Sequence, residues 1–242
     1  YYSFTNPSGD FTLDNISALS KYAPTFLRSI WFGIVATVIC LLIAFPLAYI
    51  ISQKTEKVQR TLVMLVMLPM WMSFLIRTYS WMALLQDTGI INSFLAKLGI
   101  DPIHMINTSG AVILGMVYNF LPYMIMPIYS VMAKLDYSMV EAAQDLGGNR
   151  LTVIKRCIIP MSMPGVISGI TMVFVPSVST FYISQKLGGG SFDLIGDVIE
   201  RQFQQSYNYN LGASLSLVLM VLILICMAVM NRFSGDEEGM VI

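Results

Sequence analysis

Charged residues are scarce in this sequence. Only 12% of the 242 residues are charged, whereas soluble domains carry about 25%, and the mean hydropathy is +0.69. The formal net charge is zero. This composition excludes an ordinary soluble domain and indicates a membrane protein, and it gives no sign of a nucleic-acid partner.

Histidine and cysteine are also rare, which argues against metal-binding and catalytic sites. His104 is the only histidine, and Asp101 is the only carboxylate near it in the sequence, so we predict a loop residue and not a catalytic base. Cys40, Cys157 and Cys226 lie in or beside apolar runs without the spacing of metal ligands. We predict that they are small buried hydrophobic residues, and an intramembrane enzyme is disfavoured.

Two features of energised transport are missing from the sequence. No Gly-Lys-Ser/Thr motif follows the three glycines at 188–190 or occurs elsewhere, so any ATP must be hydrolysed by another protein. The long apolar runs contain no acidic residue, which a proton- or sodium-coupled carrier needs within the membrane. A secondary carrier or passive channel is therefore less well supported than transport driven by an ATP-hydrolysing partner.

Five apolar runs are long enough to cross a bilayer, for which about 20 residues are needed. They are 29–53, 61–86, the apolar part of 102–133, 160 to about 185, and 211–230. Each run must be helical, because an unpaired backbone is too costly in lipid. The sequence therefore predicts an all-α membrane protein with a single transmembrane domain over residues 1–242.

Basic residues are distributed unevenly among the connections. Segments 53–60, 134–156 and 232–242 contain eight Lys and Arg in 42 residues. Segments 1–28, 86–109 and 186–210 contain five in 77 residues. Since basic connections stay in the cytoplasm, the first set is predicted to be cytoplasmic and the second set external.

Several residues break the apolar pattern of the runs. Six prolines are predicted to bend helices: Pro46, Pro69, Pro122, Pro127, Pro164 and Pro176. Arg77 either snorkels to the membrane surface or pairs with another group, inside the chain or on an external partner. The polar patch of Ser177, Ser179, Thr180 and Tyr182 either bonds between helices or lines a path. Gly165 and Gly169 predict a close helix crossing.

A polar stretch, Glu141 to Pro160, separates two of these runs. Ser138 followed by Glu141 is a capping-box pattern, which predicts a helix that starts near Met139. Gly147 and Gly148 would end this helix. Asn149 would cap a second helix, and Pro160 would end the second helix. The result is a short helix-turn-helix on the membrane surface, suited to a groove on another protein.

This stretch resembles the coupling loop of ABC importer permeases. In that family Glu-Ala-Ala is followed after three residues by Gly, and after nine more by Ile-x-Leu-Pro. Here Glu141, Ala142, Ala143, Gly147 and Pro160 keep that spacing, while Cys157 and Ile159 replace the Ile and Leu. The resemblance implies a type I, methionine-permease-like fold with a coupling loop at 136–160. It also implies one further helix before Tyr1, because the family usually starts in the cytoplasm.

Other stretches resemble the first permease subunit of spermidine/putrescine importers, among them Leu68 to Trp81 and Asn119 to Asp136. The resemblance implies a second permease subunit, two ATP-binding subunits that hold ATP and Mg²⁺, and an extracytoplasmic polyamine-binding protein. No cofactor is expected in this subunit. A permease for ferric iron, sulfate or phosphate is the alternative, although an anion path should contain more basic residues than Arg77.

A polyamine path should offer aromatic faces for cation–π contact and few charges that would trap the substrate. Trp71 and Tyr129 follow Pro69 and Pro127 closely, so we predict that they line such a path. Tyr118, Tyr123 and Tyr182 are weaker candidates, and simple packing is the alternative for each residue. Any acid that meets the cation within the membrane is expected to come from the sister subunit.

Overall fold

The computed structural model describes residues 2–4, 19–135, 137–145 and 147–238, and within them it is almost wholly helical. The described residues form eleven α-helices: α1 Ala23–Ser52, α2 Glu56–Met67, α3 Phe74–Leu85, α4 Ile90–Lys97, α5 Ser109–Met132, α6 Tyr137–Asp145, α7 Arg150–Val153, α8 Ile159–Ser179, α9 Tyr182–Leu187, α10 Ile195–Gln204 and α11 Tyr209–Glu238. Three 3₁₀ turns, Tyr2–Phe4, Leu19–Tyr22 and Leu68–Trp71, and a π-helix, Ile154–Ile158, complete the described elements.

Four of the five predicted membrane spans correspond to long apolar helices. Four segments are long and apolar enough to cross a bilayer, and they contain α1, α5, α8 and α11. A fifth span results if the helices of 56–71 and 74–97 are counted as one broken span. The predicted class, an all-α membrane protein, is confirmed for the part of the chain that the structure describes.

The second predicted span, 61–86, is not one continuous helix. It is divided into α2 and α3 by the 3₁₀ turn Leu68–Trp71 and by Ser73, whose ψ of 133° is not helical. Pro69 explains the break, because it has no N–H to donate to the carbonyl of the preceding turn.

The prolines of the other spans lie inside continuous helices, and the predicted bending of those helices stays a prediction. Pro46 lies within α1, and Pro122 and Pro127 lie within α5. Pro164 and Pro176 lie within α8, which is likewise continuous. Helices in membranes tolerate proline where neighbouring groups satisfy the freed carbonyls.

Pro160 also fails to end a helix. The helical chain is continuous from Leu151 to Ser179, and its turn before the proline widens into the π-helix Ile154–Ile158. There the N–H of Ile159 bonds to the carbonyl of Ile154, five residues back. The wider turn accommodates the proline, whose missing N–H would otherwise interrupt the helix.

The fourth span ends earlier than predicted. α8 stops at Ser179 and the separate helix α9 begins at Tyr182, whereas the prediction extended the span to about Gln185. The start of α10 packs against this break: a Cβ added at Gly196 would lie 2.5 Å from the carbonyl oxygen of Thr180. The contact of backbone on backbone explains why glycine occupies position 196.

The chain folds into two compact units, each built from three separate segments. The first unit comprises Tyr1–Ala36, Met72–Asn119 and Phe174–Cys226. Within it, Gly33 of α1 packs on Val178 of α8, and Gly115 of α5 packs on Leu187 of α9. Glycine at these positions leaves room for the aliphatic side chains of the facing helix.

The second unit comprises Thr37–Trp71, Phe120–Val173 and Met227–Ile242. Within it, α5 and α8 cross at close range. A Cβ added at Gly165 would lie 2.8 Å from the Pro127 carbonyl oxygen, and one at Gly169 would lie 2.7 Å from Met124 Sδ. The geometry agrees with the close approach predicted from this pair of glycines.

Candidate functional site

The predicted coupling loop forms a helix, a tight turn and a second helix in the second unit. α6 spans Tyr137–Asp145, so it begins before Ser138 and the predicted start near Met139 was two residues late. The side chains of Glu141 and Ala142, and all of Asp136 and Leu146, lie outside the described residues. The predicted contribution of Glu141 to a capping box is therefore outside them as well.

The turn after α6 follows the glycine pattern in the sequence. Gly147 has φ of +81° and donates its N–H to the Gln144 carbonyl at 2.9 Å. Gly148 donates to the Ala143 carbonyl at 3.1 Å. Asn149 then caps α7, because its Oδ1 accepts the N–H of Thr152 at 2.8 Å. The left-handed backbone at 147 requires glycine, as predicted.

Two large apolar side chains project from this helix-turn-helix into the surroundings. Met139 is 53% exposed and Leu151 is 68% exposed, and Pro160 is also exposed. Val140, in contrast, is half-buried and lines a small cavity with Met132 and Ile158. The loop therefore has one side packed on its own unit and another side with exposed apolar groups, next to the exposed Lys155 and Arg156.

The predicted path residues are divided between the two units. Trp71, Tyr123 and Tyr129 belong to the second unit, whereas Tyr118 and Tyr182 belong to the first. Trp71 is 76% exposed and Tyr123 is 41% exposed. The Tyr129 hydroxyl donates to Gln59 Oε1 at 3.0 Å, so this residue joins α5 to α2. Tyr118 packs edge-on against Trp81, with centroids 5.3 Å apart.

Tyr182 lies in a group of three rings that we call the aromatic cluster: Phe74 and Tyr79 of α3, and Tyr182 of α9. The Tyr182 centroid lies 6.0 Å from that of Phe74 and 6.2 Å from that of Tyr79. Lys186 Nζ lies 5.6 Å from the Tyr79 centroid and 5.7 Å from the Tyr182 centroid. Both distances are within the range of a cation–π interaction.

Sequence reasoning missed Tyr79 and Lys186 as members of this group. One signal was present, because Tyr182 and Lys186 are four residues apart and share a helix face if that stretch is helical. Tyr79 is more than 100 residues away in the sequence, so only the packing of α3 on α9 shows that it belongs here.

Arg77 is buried next to the aromatic cluster. It is 9% exposed, and its guanidinium carbon lies 5.9 Å from the centroid of Phe74. Its Nε and Nη1 atoms are buried and have no hydrogen-bond partner among the described residues. Snorkelling and pairing, the two alternatives for Arg77, both stay predictions.

The polar patch after Pro176 is partly explained by local bonds. The Ser179 hydroxyl donates to the carbonyl of Val175 within α8, at 3.1 Å. Ser177 is fully buried, and Thr180 is 9% exposed. Ser179 also lines an apolar cleft of about 550 Å³ in the first unit, together with Phe181, Glu200 and Phe203.

Asp197 is a buried acidic residue of α10. Its Oδ2 accepts the Leu194 N–H and its Oδ1 accepts the Ser184 hydroxyl, both at 2.8 Å. Burial raises the pKa of Asp197 to about 6, although these two hydrogen bonds act in the opposite direction. The neighbouring N–H of Ile195 bonds to Ser29 Oγ at 2.7 Å, so α1 and α9 both hold the start of α10.

His104 and the cysteines follow the predictions only in part. His104 is an exposed loop residue as predicted, but its Nδ1 lies 2.9 Å from Asp87 Oδ1, a partner that is 17 residues away in the sequence. None of the three cysteines forms a disulfide. Cys40 is buried as predicted, whereas Cys157 and Cys226 are only half-buried.

Comparison with known proteins identifies the family to which this chain is similar. Residues 4–234 match the family described as binding-protein-dependent transport system inner membrane component. The spermidine/putrescine transport system permease protein PotB of Escherichia coli K12 is 41% identical over 197 residues, which are 80% of this chain and 72% of PotB. The PotB of Haemophilus influenzae is 40% identical over 81% of this chain and 70% of its own length.

Solved structures agree with this result at the level of the fold. A bacterial ABC transporter that imports the acidic polysaccharide alginate superposes with a TM-score of 0.74 at 18% identity, over 97% of this chain and 86% of the other. An amino acid ABC transporter crystallised with histidines superposes with a TM-score of 0.53 at 14% identity, over 96% of this chain and all of the other.

Proposed function

Since this chain belongs to the binding-protein-dependent transport system inner membrane components, we propose that it is a permease subunit that carries spermidine and putrescine inward. The observation that supports this substrate is about 40% identity to PotB proteins over four fifths of the chain. The absence of acidic residues from the apolar runs agrees with a path in which a polycation is not trapped.

The subunit functions within a larger complex. Its partners are a second permease subunit, two ATP-binding subunits and an extracytoplasmic polyamine-binding protein, and ATP with Mg²⁺ is bound by the ATP-binding subunits. One structural relative, an alginate transporter, was crystallised in complex with a periplasmic protein that held an alginate pentasaccharide. In this arrangement the chain is a multi-pass protein of a bacterial inner membrane.

The helix-turn-helix of α6 and α7 is the contact to the ATPase. Ala143 and Gly147 keep it narrow enough for a groove, Glu141 and Ala142 belong to the same motif, and Pro160 begins the membrane helix that it moves. The exposed side chains of Met139 and Leu151 support this role, because exposed apolar groups at the end of a polar loop suit a partner surface. The loop lies in the cytoplasm, where the ATP-binding subunits bind.

The mechanism is alternating access. Closure of the two ATP-binding subunits moves α6, the long helices rock, and the path opens toward the loaded binding protein. Hydrolysis then returns the subunit to its inward-open form. ATP drives the cycle because the ATP-bound and ATP-free partners stabilise different conformations.

Uptake by the reconstituted complex tests the proposal. We expect ATP-dependent uptake of radiolabelled spermidine or putrescine in proteoliposomes supplied with the binding protein. Glu141→Lys should abolish uptake while the binding protein still binds its ligand, and Glu56→Lys at the exposed start of α2 is the matched control.

Two results would contradict the proposal. Normal uptake by Glu141→Lys would remove the coupling role from this loop. Uptake of sulfate, phosphate or ferric iron in place of polyamines would keep the permease assignment but replace its substrate.

A further inference from the structure

The aromatic cluster already contains an ammonium group. Lys186 Nζ lies over both Tyr79 and Tyr182, at 5.6 and 5.7 Å from their centroids. The two rings are nearly perpendicular, at 84°, so they present two different faces or edges around one position. The four methylenes and terminal ammonium of a lysine side chain are chemically the same group as one end of 1,4-diaminobutane.

We propose that Tyr79 and Tyr182 form a binding site for the primary ammonium end of a polyamine, and that Lys186 occupies this site as a tethered competitor until substrate displaces it. The proposal rests on the proposed function, because it assumes that polyamines reach this subunit. It assigns a role to Lys186 that neither composition nor the family motif indicates.

The Lys186 ammonium is bound weakly enough for a substrate ammonium to replace it. Within the part of the chain that the structure describes, no carboxylate forms an ion pair with Lys186. Its ammonium interacts with the two rings and donates a hydrogen bond to the Tyr79 hydroxyl. Tyr79 is 45% exposed and Tyr182 is half-buried, so the described residues of this chain do not enclose the cluster. An exposed cation–π contact is one of the weaker interactions of a charged group, which allows another ammonium to replace it.

The tether makes Lys186 an effective competitor. It is one helical turn from Tyr182 on α9, so its ammonium stays near the rings at a high local concentration. A substrate that presents a single ammonium at low concentration loses this competition. A polyamine delivered by a docked binding protein arrives at a high local concentration and carries further ammonium groups. Lys186 thereby limits retention of substrate on the path.

The neighbouring charges fit this interpretation. Arg77 lies against Phe74 of the same cluster and adds a second positive charge close to the rings. On α9 the residue next to Lys186, Gln185, donates a hydrogen bond to the acid Glu200 at 3.1 Å. That carboxylate is bonded to an amide and not to the lysine. A substrate cation therefore binds through the rings and leaves easily, as transport requires.

Chemical modification of a cysteine at position 186 distinguishes the effect of the Lys186 charge from the effect of its side-chain packing. The assay is the equilibrium retention of radiolabelled putrescine and spermidine by the purified complex of permease and ATPase subunits without the binding protein. Lys186→Cys in a background with Cys157→Ser and Cys226→Ser should bind about two- to fivefold more tightly than the parent. Reaction with aminoethyl methanethiosulfonate adds a tethered ammonium again and should restore the weaker binding, whereas the uncharged ethyl reagent should not.

The ring variants complete the test in the Lys186→Cys background. Tyr79→Leu and Tyr182→Leu should each weaken retention by a similar factor, and Tyr79→Phe should weaken it less than Tyr79→Leu, because phenylalanine loses the hydroxyl but preserves the ring face. Equal effects of the charged and uncharged reagents would overturn the proposal. So would a complex that imports polyamine with normal kinetics yet shows no change of retention in any of these variants. Failure of the parent complex to import any polyamine would instead contradict the proposed function.

Discussion

At the scale of single residues, Asp197 is a clear case of a group under electrostatic strain. The residue is 4% exposed, and burial raises its pKa from 3.8 to about 6. The two hydrogen bonds from Leu194 and Ser184 hold the carboxylate in place but do not cancel the loss of hydration. The ionised form is therefore less stable in the folded protein than in the unfolded chain.

This shift predicts a particular dependence of stability on pH. Between about pH 4 and pH 6 the folded state binds more protons at Asp197 than the unfolded state, so its contribution to stability falls as pH rises and is constant above pH 6. Asp197→Asn should remove this slope, because the amide stays neutral and still offers an acceptor to the Leu194 N–H. The midpoint of thermal unfolding in detergent, measured from pH 4 to pH 8, tests this.

Asp193→Asn is the control for that experiment. Asp193 is paired with Arg201 and its side chain is 38% exposed. Its charge adds to the raised pKa of Asp197 but is a smaller cause than burial, so its loss should reduce the slope without removing it. If the slope survives in Asp197→Asn, then another group causes it, and the interpretation of Asp197 as a strained buried acid is wrong.

The local sequence predicted the backbone conformation at Gly147 but not the side-chain pairs between distant residues. Gly147 was predictable because a glycine after an alanine-rich helix signals a left-handed backbone, which its φ of +81° confirms. The partnership of Asp87 with His104, and that of Tyr79 with Lys186, required the packing of elements distant in sequence. Periodicity and local spacing contain no information about such pairs.

At the scale of helices and turns, the crossing of α5 and α8 depends on Gly165. The nearest atoms to an added Cβ are backbone atoms, the Pro127 carbonyl oxygen at 2.8 Å and Ile128 Cα at 3.0 Å, and neither can rotate away. Gly165→Leu should therefore separate the helices and destabilise the protein by roughly 1–3 kcal/mol. Thermal unfolding of the purified subunit complex measures the loss.

The matched control is Gly110→Ala, near the start of α5. There the nearest atom to an added Cβ is Thr108 Oγ1 at 3.7 Å, which is an ordinary contact. Alanine also has the higher helix propensity, so this variant should be neutral or slightly stabilising. A Gly165→Leu protein as stable as the control would show that the crossing tolerates a wider spacing.

The turn between α6 and α7 supports a second prediction at this scale. Gly147 and Gly99 have similar positive φ values, +81° and +75°, and neither has an atom within 4 Å of an added Cβ. Valine at either position should therefore impose a similar backbone strain, roughly 1–2 kcal/mol. Only Gly147→Val should also reduce ATP-driven uptake, because only that turn orients the proposed contact to the ATPase.

The measurement is the ratio of uptake to ATP hydrolysis in proteoliposomes, with stability recorded in parallel. Equal loss of uptake in Gly147→Val and Gly99→Val would mean that general destabilisation explains both. In that case the geometry of the α6–α7 turn would have no specific role in coupling.

The elements themselves were largely predictable, and their breaks were not. Hydropathy located the spans because each needs about 20 apolar residues, whatever packs around it. It did not distinguish Pro69, which ends a helix, from Pro46, Pro122 and Pro127, which lie inside continuous helices. That difference depends on whether neighbouring groups satisfy the freed carbonyls, and a sequence window does not contain those neighbours.

At the scale of the whole molecule, the distribution of basic residues predicts the orientation in the membrane. Segments 53–60 and 134–156 should face the cytoplasm, and segments 86–109 and 186–210 should face the other side. The proposed contact with the ATPase requires this orientation. The prediction is independent of the α6–α7 geometry, because it depends only on where Lys and Arg occur.

Single cysteines at exposed positions test this orientation directly. In a background without the three native cysteines, Thr55→Cys and Leu151→Cys should react with a membrane-impermeant maleimide only after the inner face of the membrane becomes accessible. Ser93→Cys and Gly190→Cys should react from the outer face in intact cells. All four residues are exposed, so access to the reagent and not burial decides the result. Labelling of Leu151→Cys from outside would place α7 on the wrong side for an ATP-binding subunit, and the transport mechanism proposed for this chain would have to be abandoned.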